Sequence, residues 1–263
     1  MNRILRVDVG NAQVTEQPVP PQYEGLGGRG LSSALVAGEV PPQCAPLSAQ
    51  NKLVIAPGLL SGTRAANSGR LSVGAKSPLT GGIKECNAGG TASAKLARLG
   101  IAALVIENEP TGSGLRVLEL TSGGARLLDA EGYRGLGNYA LVEAIRARYG
   151  KPVAILSAGP AAEMRRSNST IAVTSTNGTP SRQAGRGGLG AVMASKGLKA
   201  IVVDDEGAGP PALREPERFA QAARKFVDAL RSYPAIRVNL PKYGTNRMAG
   251  LINEVGGYPT RNF

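Results

Sequence analysis

The sequence predicts an α+β protein: a duplicated, pseudo-two-fold mixed β-sheet domain followed by the first helices of an α-helical domain. Three observations predict it. A series of motifs occurs twice in the same order, short apolar runs alternate with helix-like stretches that end at glycine, and the composition changes after Asp205.

The series opens with Leu5-Arg6-Val7, which alternates like a strand. Eighteen residues after Leu5 stands Tyr23-Glu24-Gly25-Leu26-Gly27, and Leu115-Arg116-Val117 is followed at the same offset by Tyr133-Arg134-Gly135-Leu136-Gly137. Each glycine turn leads into a helical pattern, Leu31 to Ala37 and Ala140 to Tyr149. The apolar strand Lys52-Leu53-Val54-Ile55-Ala56 then matches Pro152-Val153-Ala154-Ile155-Leu156, and further strands are expected over 70–76 and 171–175.

A glycine pair follows in each copy, Gly89-Gly90 and Gly187-Gly188. Each opens a short helix ending at Gly100 or Gly197, ahead of the buried-looking strands Ala102 to Glu107 and Lys199 to Asp204. Repetition of this order places one duplicated, pseudo-symmetric α+β unit over residues 1–206. Residues 207–214, rich in Gly and Pro, read as a linker.

From 215 to 263 the pattern is that of the start of a truncated helical domain. Pro216 suits a first helical turn, and Phe219, Ala223, Phe226 and Leu230 form an apolar stripe. A second helix is expected from Thr245 to Val255, ended by Gly256.

Composition narrows the chemistry. The formal charge is +12, which suits a phosphate-bearing cofactor, an acidic protein partner or solubility alone. Nucleic acid is not expected, because the few aromatic residues are scattered rather than interleaved with the basic ones. The chain has no histidine, which disfavours zinc hydrolases and Ser-His-Asp enzymes. Its two cysteines, Cys44 and Cys86, cannot ligate an iron–sulfur cluster unaided. The start from Met1 to Val9 lacks a signal-peptide core, and no run reaches membrane-spanning length, so a cytoplasmic protein without a membrane partner is expected.

Gly185-Arg186-Gly187-Gly188-Leu189-Gly190 fits G-x-G-x-x-G, with Asp204 near the distance of a ribose-binding acid. A nucleotide-dependent Rossmann oxidoreductase is therefore one reading, tested by whether a strand runs directly into Gly185. The glycine pairs also offer helix starts where unpaired N–H groups favour phosphate, flanked by Lys84 in one copy and by Arg182 and Arg186 in the other. Alternatively, these glycines only permit tight helix–sheet packing. Arg70 is either a surface charge or an inward fork for phosphate or a pterin amide, and Cys86 reads as a small buried residue.

Several longer segments carry a resemblance. They are Gly27-Gly28-Arg29-Gly30-Leu31, Arg70, Lys76-Ser77-Pro78-Leu79-Thr80-Gly81, Asn87-Ala88-Gly89-Gly90, the run Ser181 to Lys196, Tyr243-Gly244-Thr245 and Pro259-Thr260-Arg261-Asn262-Phe263. Through them the chain resembles the N-terminal part of the aldehyde:ferredoxin oxidoreductases. The resemblance implies a tungsten (or molybdenum) ion held by two pyranopterins, sandwiched between this domain and helical domains. It implies that Arg70 contacts a pterin and that Asn87, Ala88, Gly89 and Gly90 line the first half-site. Arg182, Gln183, Ala184, Gly185, Arg186 and Gly187 would line the second.

By the same resemblance, backbone carbonyls of Asn87 and of Gln183 or Ala184 would hold a Mg2+ ion bridging the pterin phosphates. The reaction implied is oxidation of an aldehyde to a carboxylate, with electrons passing through a [4Fe-4S] cluster to ferredoxin. The cluster ligands and the acid–base residues are not in this chain, so no catalytic residue is assigned to it. The helical domains would come from a second chain or a lost C-terminal region. A non-catalytic pterin- or phosphate-binding subunit is the alternative.

Overall fold

The structure is a computed structural model that describes residues 3–150 and 152–259. The strand start at Met1-Asn2 and the closing Thr260-Arg261-Asn262-Phe263 segment lie outside the described residues. Contacts divide the chain into two compact units, one reaching to Thr63 and continuing over Asn67–Ala212, the other comprising Arg64–Ala66 and the region from Leu213 onward.

In the first unit the opening copy contains β1 (Arg3–Asp8), β2 (Gln13–Pro18), α1 (Gly28–Glu39), β3 (Leu53–Pro57), β4 (Leu71–Lys76), β5 (Ile83–Ala88), α2 (Ala92–Arg98) and β6 (Ile101–Glu107). The second copy contains β7 (Arg116–Thr121), β8 (Gly124–Asp129), α3 (Asn138–Tyr149), β9 (Ala154–Ala158), α4 (Pro160–Glu163), β10 (Ile171–Val173), β11 (Arg182–Ala184), α5 (Leu189–Ser195) and β12 (Leu198–Val203). Each copy forms its own six-stranded sheet, ordered β2-β1-β6-β3-β4-β5 and β8-β7-β12-β9-β10-β11. The two orders superpose strand for strand, so the repeated motifs are a duplicated fold.

The likeness extends to an irregularity. In the parallel pair β1/β6, Arg3 faces Ile101 and Ile4 faces Ala103, which skips Ala102. In β7/β12, Arg116 faces Leu198 and Val117 faces Ala200, which skips Lys199. Lys199 is fully buried at this bulge. Its ammonium is tolerated there because it is ion-paired with Glu163 and donates to the Leu136 carbonyl at 2.8 Å.

Strand alternation sorts the core into layers. Leu5, Leu104 and Ile55 of one sheet and Leu156, Ile201 and Val203 of the other share a single central cluster, which also takes in Leu96 of α2 and Val192 of α5. The intervening residues face outward: Ile4, Val54 and Val105 pack with Leu31 and Leu35 of α1, and Val117, Ile155 and Val202 pack with Leu141 and Ile145 of α3. Neither sheet can bury its inner face without the other.

The expected matches shift in two strands: the shared bulge aligns Arg3 with Arg116, so Leu5 corresponds to Leu118 rather than to Leu115, and β3 shifts by one residue against β9. Leu53 faces Ile106 and Ala154 faces Val203, so Leu53 corresponds to Ala154 rather than Lys52 to Pro152. Both strands are buried on both faces, and such runs carry no alternation from which to read register.

The second unit contains α6 (Pro216–Ser232), a π-helical turn over Ala235–Asn239, α7 (Leu240–Tyr243), a 3-10 turn over Gly244–Met248 and α8 (Ala249–Glu254). The helix expected over 245–255 is thus a 3-10 turn joined to a shorter helix, with Gly256 at φ 69 just beyond it. The helical stretch over 235–243 went unread because Pro234 and Pro241 look like breakers, although the structure uses Pro241 within the first turn of α7.

Candidate functional site

The edge strands β5 and β11 lie against each other, so the ends of the two sheets meet. Between them is a cleft of about 570 Å³ lined by Arg29, Lys84, Glu85, Cys86, Asn87, Gln183, Gly185 and Arg186. Three of these lining residues, Arg29, Lys84 and Arg186, are cations against a single carboxylate, so the cleft favours an anion.

The strand ladders relate its two sides. Ser72 faces Asn87 and Leu71 faces Ala88 in the first copy, as Ala172 faces Gln183 and Ile171 faces Ala184 in the second. Because Ser72 faces Ala56 and Ala172 faces Ser157 in the corresponding ladders, Asn87 and Gln183 are equivalent positions. Each is gripped by the residue just ahead of the neighbouring strand. Arg70 donates through Nε to Asn87 Oδ1 and reaches the Asn87 carbonyl at 3.4 Å. Thr170 Oγ1 donates to Gln183 Oε1 at 2.8 Å. Arg70, though exposed, is therefore directed onto the half-site residue rather than left free in solvent.

The glycines divide into two kinds. A Cβ on Gly90, Gly188 or Gly190 would overlap the carbonyl oxygens of Thr174, Ser167 and Thr170 respectively, and one on Gly187 would overlap the Lys84 stem. For these four the tight-packing reading holds. Gly89 has nothing within 4 Å of that position, and its duplicate Gly185 meets only the Gln183 side chain at 3.8 Å. This pair leaves room for a ligand against the backbone.

The helix starts are less available than the sequence suggests. Thr91 N–H donates to the Thr174 carbonyl at 2.9 Å and Gly190 N–H to the Ser169 carbonyl at 3.2 Å. An anion here would be met chiefly by the loop ahead of α5 and by side chains.

Glu85 pairs through Oε2 with Arg29 Nε at 3.0 Å, while its Oε1 is buried without a hydrogen-bond partner among the described residues. Cys86 is buried, as the sequence suggested, and burial pushes its thiol pKa up. Cys44 is also buried, in the cluster beneath α1. Among the described residues no group of His, Cys, Asp and Glu side chains is arranged to hold a metal ion.

Two other expectations meet the structure here. A strand, β11, does run directly into Gly185, but it is an edge strand antiparallel to β10, not the inner parallel strand of a dinucleotide fold. Asp204 accepts the Glu206 N–H at 3.2 Å and sits beyond β12, serving a turn rather than a ribose. A larger cavity of about 630 Å³ runs along α3, yet its arginine, Arg146, is turned onto the Gly178 carbonyl. The convergence of both copies marks the β5/β11 cleft as the candidate site instead.

A family profile described as "Aldehyde ferredoxin oxidoreductase, N-terminal domain" matches residues 4–205. The chain belongs to the aldehyde ferredoxin oxidoreductase family. It is similar to the tungsten-containing aldehyde ferredoxin oxidoreductases of Pyrococcus furiosus, at 37% identity over 264 residues, and of Thermococcus kodakarensis, at 36%. Each match takes in 99% of this chain and 42% of the relative, so the chain spans less than half the length of these curated relatives. A solved structure titled "Active site complex BamBC of Benzoyl Coenzyme A reductase in complex with 1,5 Dienoyl-CoA" is similar over 88% of this chain and 34% of its own, with TM-score 0.80 and 27% identity.

Within this aldehyde ferredoxin oxidoreductase domain, the cofactor-site residues implied by the resemblance lie on or beside β5 and β11. Arg70 reaches Asn87 from ahead of β4, and Arg182 to Ala184 form β11 itself. Arg182, Gln183 and Arg186 are exposed, whereas Ala88, Ala184 and Gly187 are buried, so the last three can offer only backbone. Sequence reasoning missed Thr170, Glu85 and the turn closed by Ser77, whose Oγ accepts the N–H groups of Leu79 and Thr80 at 3.1 Å. Only Ser77 carried a signal, the Ser-Pro-Leu-Thr run that suits a side-chain-closed turn. No helix among the described residues is long and apolar enough to cross a membrane.

Proposed function

We propose that the β5/β11 cleft binds a tungsten (or molybdenum) bis-pyranopterin, and that the chain is the N-terminal cofactor-binding part of an enzyme oxidising aldehydes to carboxylates. The observation that carries this reading is the equivalence of Asn87 and Gln183 across one cleft. Two matching positions suit a cofactor with two identical halves.

The residues present fit such a group. Arg70, Lys84, Arg182 and Arg186 supply charge-assisted donors for phosphate. Gly89 and Gly185 leave open space against the backbone, and Glu85 Oε1, without a hydrogen-bond partner among the described residues, offers an acceptor. Asn87, Ala88, Gly89 and Gly90 would hold one pterin half, and Arg182, Gln183, Ala184, Gly185, Arg186 and Gly187 the other. Carbonyls of Asn87, Gln183 and Ala184 would take a Mg2+ ion, a hard cation suited to oxygen ligands.

When bound, the metal–dithiolene group supplies the two-electron chemistry; this chain binds and orients it. With two cysteines and no histidine, the chain leaves the [4Fe-4S] ligands and the acid–base groups to helical domains supplied as a second chain or a C-terminal region. Ferredoxin is the electron acceptor in this reading, and the cytoplasm its place. A second reading, a pterin-binding subunit that is not itself an enzyme, uses the same cleft and the same residues.

Elemental and pterin analysis of the protein purified from its native host, with co-purifying chains identified, tests both. Tungsten or molybdenum with two pterins per chain, beside a helical partner, is the expected result. Cofactor without such a partner selects the second reading, and absence of pterin altogether overturns both.

A further inference from the structure

The hairpin of β4 and β5 holds the glycine loop of the other copy through two side chains to which the cofactor reading gives no part. Ser77 is fully buried, and its Oγ accepts the N–H groups of Leu79 and Thr80, each at 3.1 Å. With its lone pairs so engaged, its proton is directed to the Gly187 carbonyl at 2.7 Å. One peptide earlier, the Arg186 N–H donates to Cys86 Sγ at 3.1 Å, and the Cys86 thiol donates back to the Arg186 carbonyl. Burial raises the thiol pKa, which keeps that donor proton in place.

The held backbone needs holding. Gly187 and Gly188 sit at φ 79 and 73, and glycine-rich backbone loses much conformational freedom on being ordered. Both points of attachment come from the first copy and both grip the second.

We propose that Ser77 and Cys86 are positioning residues that fix the Arg186–Gly187 peptides in the conformation receiving a phosphate-bearing ligand. The second half-site is thereby set by the hairpin of the first, so the two halves cannot be formed independently. This rests on the reading of the β5/β11 cleft as the cofactor site.

The test uses the full 263-residue chain and the variants Ser77→Ala, Cys86→Ala and Cys86→Ser, with circular dichroism verifying the fold. Amide hydrogen exchange over 185–188 is measured without ligand, and inorganic pyrophosphate binding by calorimetry. Both alanine variants are expected to exchange roughly five- to tenfold faster at the Arg186 amide and to bind pyrophosphate more weakly by a similar factor. Cys86→Ser, whose hydroxyl can donate and accept, is expected to restore most of both. Unchanged exchange in the two alanine variants would overturn the clamp whatever the ligand result. Faster exchange with undiminished pyrophosphate affinity would overturn the positioning role. A wild-type chain that binds no pyrophosphate counts against the cleft reading itself and removes the positioning role with it, while the exchange data still report whether the clamp exists.

Discussion

Asn87 and Gln183 are the same residue position in two copies of one fold, and each is held by a partner one step before the adjacent strand. The partners differ: a guanidinium from Arg70 in the first copy, a hydroxyl from Thr170 in the second. Equivalent backbone is thus combined with unequal side-chain chemistry.

That inequality predicts unequal losses. Arg70→Ala removes a charged donor, with a loss of about tenfold or more in pterin and tungsten retention. Thr170→Val removes one neutral hydrogen bond and is expected to cost only about two- to fivefold. Pterin fluorescence and metal content per folded chain measure both, and equal losses would show that the two half-sites bind alike.

The glycines separate folding from binding. Gly188→Ala forces a side chain onto the Ser167 carbonyl at φ 73 and is expected to destabilise the chain by about 2–4 kcal/mol in a urea melt. Gly89→Ala and Gly185→Ala meet little or nothing, so the melt is expected to stay within about 1 kcal/mol of wild type while pyrophosphate binding falls. A large loss of stability at Gly89 would place it in the packing instead.

Lys196 predicts a pH dependence. Its ammonium is fully buried and donates to the carbonyls of Ser48 at 3.0 Å and Asn108 at 2.8 Å, and burial lowers its pKa from 10.5 to about 8. Between those two values the unfolded chain holds a proton that the folded chain has released. Stability therefore rises with pH across that window, and below it the folded state bears the whole penalty, on the order of 3 kcal/mol. Urea melts of wild type and Lys196→Met from pH 7 to 10 check this: the wild type gains on the variant as pH rises, and parallel curves would refute the shift.

The 263 residues by themselves are expected to oxidise no aldehyde, because two buried cysteines give electrons no cluster to leave by. An anaerobic assay of benzyl viologen reduction with several aldehydes checks this, run with and without a second chain carrying the helical domains. Steady turnover by the purified single chain would place the catalytic groups here after all.

The duplication was legible because Tyr-x-Gly-Leu-Gly turns and glycine pairs are discrete marks that survive divergence. Strands β2 and β8 were not, since both are edge strands without a fully buried residue and carry little apolar alternation. The three-residue β11 was unread as a strand because Arg182 and Gln183 are exposed, and only its pairing with β10 makes it one. At the site, Arg70 was nameable but its direction was not: hydrogen bonding to Asn87, seventeen residues away, follows from the β4/β5 hairpin. Thr170 and Glu85 bear no motif, and their significance lies in where the ladders place them.

The bulge that skips Ala102 in one copy and Lys199 in the other has a consequence for descent. A defect shared at the same ladder step points to one ancestral peptide the length of a single copy. Because the inner faces of the two sheets share one core with α2 and α5, such an ancestor would have assembled as a symmetric pair. In such a homodimer every substitution occurs twice, and a lysine at the bulge would have demanded two buried counter-ions. Within one chain each half can mutate alone. One could then acquire Lys199 with Glu163 while the other kept a methyl group, and one could carry Arg70 where the other carries Thr170.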